Sequence, residues 1–194
     1  MTFGCFNRLT KVCDDVPTTW ASILEAVPES RLFMVVGDIG TPEVREAVET
    51  RLIAAGLPLD RVIFQPRVNT GYHALYHRVN IALDPYPYNG GTTSFDTLSM
   101  GVPFVALSGD HAAARVGASI LRVIGLLELV SDSQDAYAAI ARDLALDRDR
   151  LRTIRAGLRK RLHASPLMDH AGPAADVDAA FRAMWRQWLA AECA

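Results

Sequence analysis

Short apolar runs recur along the chain, and stretches with helical spacing separate them. "TFGCFN" at 2–7 predicts a strand, followed by a helix around Trp20, Ile23 and Leu24. "RLFMVV" at 31–36 is continuously apolar, as expected of a strand buried on both faces. "TPEVREAVETRLIAAGL" opens with Thr41 as a cap and Pro42 in the first turn, and it stops at Gly56, so it predicts a helix. "RVIFQP", "NIALD", "PFVALSG" and "LELVSD" predict further strands. Between them, "TGYHALYHRV" and "TTSFDTLSMG" predict short helices and "ARVGASILRVIG" a longer one. From Ser133 the pattern is helical, over Gln134 to Leu146, Arg148 to His163 and Ala174 to Glu192.

Strand–helix alternation with short connections implies crossover units: an α/β domain with a parallel sheet and helices on both faces. The expected organisation is one domain over residues 1–194, with a sheet core at 1–132 and C-terminal helices at 133–194. In open sheets of this kind ligands bind beyond the carboxyl ends of the strands. "DPYPYNGGTTSFD" at 84–96 and "SGDHAAARVGAS" at 108–119 lie at such ends.

Composition narrows the function. The chain has 194 residues, half of them hydrophobic, enough for one full core. A net charge of -2 supplies no field to recruit nucleic acid or an acidic membrane. No apolar stretch is long enough to span a bilayer, and "MTFGCFNRLTK" lacks the apolar core of a signal peptide. Cys5, Cys13 and Cys193 are odd in number and spaced for neither a disulfide framework nor zinc, which points to thiols in the cytoplasm. "RDRLRTIRAGLRKRL" keeps Leu151, Ile154, Leu158 and Leu162 at helical spacing, so its arginines are expected on the wet face. Asp147 to Asp149 has an Asp-x-Asp form but falls between two helices, as a cap and turn. Phe181, Met184, Trp185 and Trp188 form an apolar stripe on the last helix, packed on this domain or available to another chain.

The chemistry concentrates in one loop. Asn89, Gly90 and Gly91 let a ligand approach the main chain. Thr92 and Thr93 follow in the first turn of a helix, where free N–H groups, the helix dipole and two hydroxyls suit a phosphate or diphosphate. No Walker A lysine follows the glycines, and the loop is not Gly-x-Gly-x-x-Gly. Asp96 would repel a phosphate but suits a hydroxyl-rich group such as a ribose. Thr93-x-x-Asp96 also has the form of a capping box, and both readings stay open.

Four ordered motifs carry a resemblance: "FGCFNRLTKV", "DPYPYNGGTTSFDTLSMGVPFVAL", "ARVGASIL" and "SPL" at 165–167. Together they resemble the C-terminal half of the O-GlcNAc transferase/SPINDLY family. The resemblance implies a Rossmann-like, donor-binding domain of a GT-B glycosyltransferase that binds a nucleotide sugar with no metal ion and no cofactor. Lys11 matches the family lysine that neutralises the donor's diphosphate and so stabilises the leaving group. Thr92 and Thr93 match the pair that hydrogen-bonds the phosphates, and Asp96 the acidic position on the ribose hydroxyls. Gly91 stands where animal enzymes carry a histidine, and Arg8 where they carry a glutamine near the nucleotide sugar. Asn89 and Gly90 complete the donor loop.

The chain departs from the family in "YHALY". Tyr72 takes the place of a histidine and could meet the base, while His73, about 100° further round a helix, cannot simply replace it and is expected at the surface. His111, in a strand-end loop, is either a donor contact or a solvated histidine, and Arg115 is read the same way. The implied function is transfer of a sugar, with UDP-GlcNAc favoured over GDP-fucose, to a Ser or Thr of a protein or peptide acceptor, with inversion. The family's N-terminal half is expected to come from a separate chain or from a longer gene product. The alternative is a module that binds a nucleotide sugar without transfer.

Overall fold

The computed structural model describes residues 1–169 and 171–192. Six strands form one sheet: β1 (Thr2–Cys5), β2 (Arg31–Val36), β3 (Val62–Pro66), β4 (Ile81–Leu83), β5 (Phe104–Leu107) and β6 (Val130–Ser131). Their order is β3-β2-β1-β4-β5-β6, and every pairing is parallel. The connecting helices are α1 (Asp15–Ala26), α2 (Pro42–Ala54), α3 (Thr92–Ser99) and α4 (Val116–Val123). Three more helices follow the sheet: α5 (Gln134–Leu146), α6 (Arg148–His163) and α7 (Ala171–Glu192). This is the doubly wound, Rossmann-like α/β architecture that the alternation predicts.

The local chemistry accounts for the element ends. Pro42 opens α2 just after Thr41, and Gly56 follows its end with φ 84°, a conformation that favours glycine. Asp147 Oδ1 accepts from the Arg150 N–H at 2.9 Å, so the Asp-x-Asp segment is a helix cap. Two stretches differ from expectation in detail. "TGYHALYHRV" forms a 3₁₀ helix over Tyr72–Arg78, and Leu127–Leu129 form a 3₁₀ turn that shortens β6 to two residues.

The core lies between the sheet and its helices, with Phe3, Trp20, Leu32, Phe33, Tyr76, Phe104 and Tyr137 all buried. α1 packs on α5, and α3 on α6. Leu151, Ile154, Leu158 and Leu162 are buried as their spacing predicts. The arginines between them are not simply solvated. Arg155 donates to the Val79 and Asn80 carbonyls at 3.1 and 2.7 Å, Arg159 to Ser99 at 2.6 Å, and Arg161 to Gly125 at 2.9 Å. They satisfy carbonyls where neighbouring elements end or turn, a use that helical periodicity cannot reveal.

On α7, Val177, Phe181, Met184, Trp185 and Trp188 are exposed, and the two indole rings stack at 5.0 Å. No helix among the described residues is long and apolar enough to cross a membrane. Cys5 is buried and Cys13 exposed, both as free thiols; Cys193 lies outside the described residues.

Candidate functional site

Strand order reverses direction between β1 and β4, and an open α/β sheet offers its ligand crevice at that switch point. The segment after β1 runs through Phe6, Asn7 and Arg8 into a 3₁₀ turn, Leu9–Lys11. The segment after β4 runs from Asp84 through the Asn-Gly-Gly loop into α3. An antiparallel bridge between Val12 and Pro87 joins the two loops. A cleft of about 1110 Å³ opens between them, also bounded by the ends of β2 and β3.

Most of the residues singled out from the sequence meet there: Arg8, Lys11, Tyr72, Gly91, Thr92, Thr93 and Asp96 all line the cleft. The Lys11 ammonium donates to the Asn89 main-chain carbonyl at 2.9 Å and sits 4.0 Å from the centre of the Tyr88 ring. It is thereby held over the glycine loop. Gly91 precedes α3, and the N–H groups of Gly91, Thr92 and Thr93 have no hydrogen-bond partner among the described residues. Three free amides, two hydroxyls, a helix N-terminus and an ammonium thus line one cleft, an arrangement that attracts anions.

The capping-box alternative does not form. No side chain caps α3, and the Asp96 carboxylate lies instead 3.5 Å from His73 Nε2. His73 is mostly exposed, as expected, but its contact with Asp96 joins two elements and no local spacing announces it. The Tyr72 hydroxyl meets the hydroxyl of Tyr76 at 2.6 Å, and Tyr76, fully buried, stacks on Phe6 at 3.9 Å. Burial pushes the Tyr72 phenol above its ordinary pKa, so it presents a neutral hydroxyl to the cleft.

Four of the residues considered do not line the cleft. Asn89 is buried: its amide donates to the Pro85 carbonyl at 3.0 Å, and its Oδ1 accepts from the Gly117 N–H at 3.2 Å. The Gly90 N–H donates inward to Asp84 at 2.8 Å. Both residues shape the loop from beneath. His111 is exposed outside the cleft and contacts Asp110, while Arg115 donates to the Gly109 carbonyl at 2.9 Å. Asp38, Arg67 and Tyr88 line the cleft without having been singled out. Asp38 and Arg67 follow the carboxyl ends of β2 and β3, so counting from every strand end would have found them. Asp84, also passed over, is buried beneath the loop, and desolvation pushes its carboxyl up to about 7.

Residues 1–177 match glycosyl transferase family 41. The chain belongs to that family. Within family 41, the chain is 38% identical over 190 residues to the probable UDP-N-acetylglucosamine–peptide N-acetylglucosaminyltransferase SPINDLY of Petunia hybrida, covering 97% of this chain and 20% of that one. It is 30% identical over 186 residues to the probable transferase of the same description named SEC from Arabidopsis thaliana, covering 94% and 19%. The O-GlcNAc transferase of Thermobaculum terrenum superposes with a TM-score of 0.88 at 37% identity, over 96% of this chain and 36% of that one. A sucrose-phosphate synthase from Thermosynechococcus elongatus, at 18% identity and TM-score 0.65 over 96% of this chain and 45% of that one, shares the fold. The chain spans about a fifth of the length of the curated relatives it matches.

Proposed function

We propose that this chain is the nucleotide-sugar-binding part of a protein O-glycosyltransferase. One observation carries the reading: the Lys11 ammonium and the free amides of Gly91, Thr92 and Thr93 share one cleft at the switch point of the sheet. In this reading they hold the donor's diphosphate, and Asp96 accepts from the ribose hydroxyls. The names of the relatives make UDP-GlcNAc the favoured donor, with GDP-fucose as the alternative.

Transfer forms a bond from an acceptor Ser or Thr oxygen to the anomeric carbon and breaks the bond from that carbon to the diphosphate. The stereochemistry inverts, and the acceptor's proton passes to a base. Negative charge develops on the departing diphosphate. Donors fixed before that charge appears lower the barrier, and an ammonium with a helix N-terminus can do this without a divalent ion. The acceptor must be placed by a surface facing the cleft, supplied by the family's N-terminal half. The exposed apolar stripe on α7 gives such a partner a place to dock.

The cleft residues come from strand ends, their loops and α3 of one sheet, and this also favours a second reading: binding without transfer. Calorimetric titration with UDP, GDP, UDP-GlcNAc and GDP-fucose tests the site. Binding of one nucleotide sugar at micromolar levels, unaffected by EDTA, supports the proposal; no binding of any of the four ends it. Transfer to a peptide after adding the preceding part of a family 41 relative separates enzyme from binding module.

A further inference from the structure

Asp84 follows β4 directly and is 3% exposed. Its Oδ1 accepts from the Gly90 N–H at 2.8 Å and from the Asn7 amide at 3.3 Å. Its Oδ2 is buried with no hydrogen-bond partner among the described residues. A Cβ built on Gly90 would lie 2.8 Å from Oδ1, and one on Gly117 would lie 2.7 Å from Oδ2. The carboxyl is therefore wedged between the glycine loop and the start of α4, and backbone alone passes on those two sides.

Few titratable groups act on it. β1 contributes Cys5, whose thiol burial pushes up to about 12, and α5 contributes Tyr137, whose phenol burial also raises. Both are neutral near neutral pH. α3 contributes Ser94 and α4 Gly117, neither of which titrates. The 3₁₀ turn after β1 contributes Lys11, the one cation among the described residues whose charge favours the Asp84 carboxylate.

We propose that Asp84 is the positioning residue of the donor cleft, and that its carboxyl takes up a proton when a diphosphate binds. This rests on the cleft being a diphosphate site. By fixing the Gly90 N–H inward, the carboxyl sets the path of the loop and so the direction of the next three amides. An incoming diphosphate adds negative charge nearby and takes the Lys11 ammonium as its own partner. The Lys11 field that favoured the buried carboxylate is then largely offset while Oδ2 stays unpaired, and the neutral acid becomes the better state. The proton comes from solvent, and Oδ1 keeps both of its donors. Because burial already holds the carboxyl near neutrality, a modest further rise changes its occupancy at working pH.

The test is calorimetric titration of the whole chain with UDP-GlcNAc, or with GDP-fucose if that is the sugar that binds. It is run between pH 6 and 8 in two buffers of different ionisation enthalpy. Both phosphates of a nucleotide sugar are esterified and do not titrate in this window, so proton uptake reports the protein. Expected is uptake of a few tenths of a proton near pH 7 and affinity that falls as pH rises, with both effects lost in Asp84→Asn. Binding without uptake, or uptake that survives in Asp84→Asn, overturns the inference and leaves the donor site standing. Failure of either sugar to bind overturns the donor site, and the inference with it. If a thermal melt shows Asp84→Asn unfolded, His73→Ala decides: full uptake in that variant supports Asp84, whereas its loss assigns the proton to the His73–Asp96 pair.

Discussion

The Lys11 ammonium and the Asn89 main-chain carbonyl meet at 2.9 Å across 78 residues of sequence. The contact ties the loop after β1 to the loop after β4 and holds a positive charge at the cleft that the start of α3 also lines. Replacing Lys11 by Ala removes that charge while leaving the buried core untouched. The expected loss of nucleotide-sugar affinity is about 1.5–3 kcal/mol, the worth of a hydrogen bond to a charged group. Calorimetry on both proteins measures it, and equal affinities would remove Lys11 from the site.

Asp96 faces the cleft with its carboxylate beside His73. If it accepts from ribose hydroxyls, Asp96→Ala weakens a ribonucleotide sugar by about 1–2 kcal/mol. The same substitution should leave the weaker 2′,3′-dideoxy analogue nearly unchanged. Comparing the two ligands on the two proteins gives a double-mutant cycle for this one contact. Equal losses for both ligands would mean that Asp96 shapes the cleft without touching the sugar ring.

The adjacent glycines should respond unequally. A Cβ on Gly90 would press on Asp84 Oδ1 and the Ser94 hydroxyl, whereas one on Gly91 meets nothing within 4 Å. Gly91 has φ −121° and ψ −92°, outside the left-handed region that favours glycine but in neither the α nor the β region. Gly90→Ala is therefore expected to destabilise by about 1–3 kcal/mol, the usual cost of overpacking. Gly91→Ala meets no such contact and should cost less, about 1 kcal/mol, because glycine is the better N-cap. Denaturant unfolding of the two variants checks the contrast.

These contrasts mark what was legible in the sequence and what was not. The strands declared themselves because a parallel strand buried on both faces is a continuous apolar run, as "RLFMVV" is. Lys11 was singled out by the family resemblance alone, and Thr92, Thr93 and Asp96 also by their place at a strand end, where a doubly wound sheet presents ligands; all four line the cleft. Asn89 and Gly90 were read as ligand contacts, yet they face inward, because direction within an irregular loop depends on what lies beneath it. The same cause hid Asp84. Its setting is made by Gly90, Asn7, Lys11 and Gly117, which only the folded chain assembles. Arg155 was assigned to solvent for a related reason: periodicity says which way a side chain leaves its own helix and nothing about the carbonyls it then meets.

Asp84 also makes a prediction about stability that needs no ligand. Its carboxyl titrates near 7 in the folded chain against 3.8 for an ordinary aspartate. Between those values the folded chain holds a proton that the unfolded chain has released. Stability therefore falls as pH rises through this window, and the full cost is present above about pH 7. Asparagine keeps the shape and the neutral state at every pH, so Asp84→Asn should be the more stable protein under alkaline conditions. Its advantage should widen by roughly 2–3 kcal/mol between pH 5 and pH 8, taking about 1.4 kcal/mol per pKa unit. Thermal melts of both proteins across that range read the gap directly. A gap that stays constant, or a variant less stable than the parent at pH 8, would mean that the buried carboxylate is already well compensated, and that Lys11, Gly90 and Asn7 hold it ionised at neutral pH.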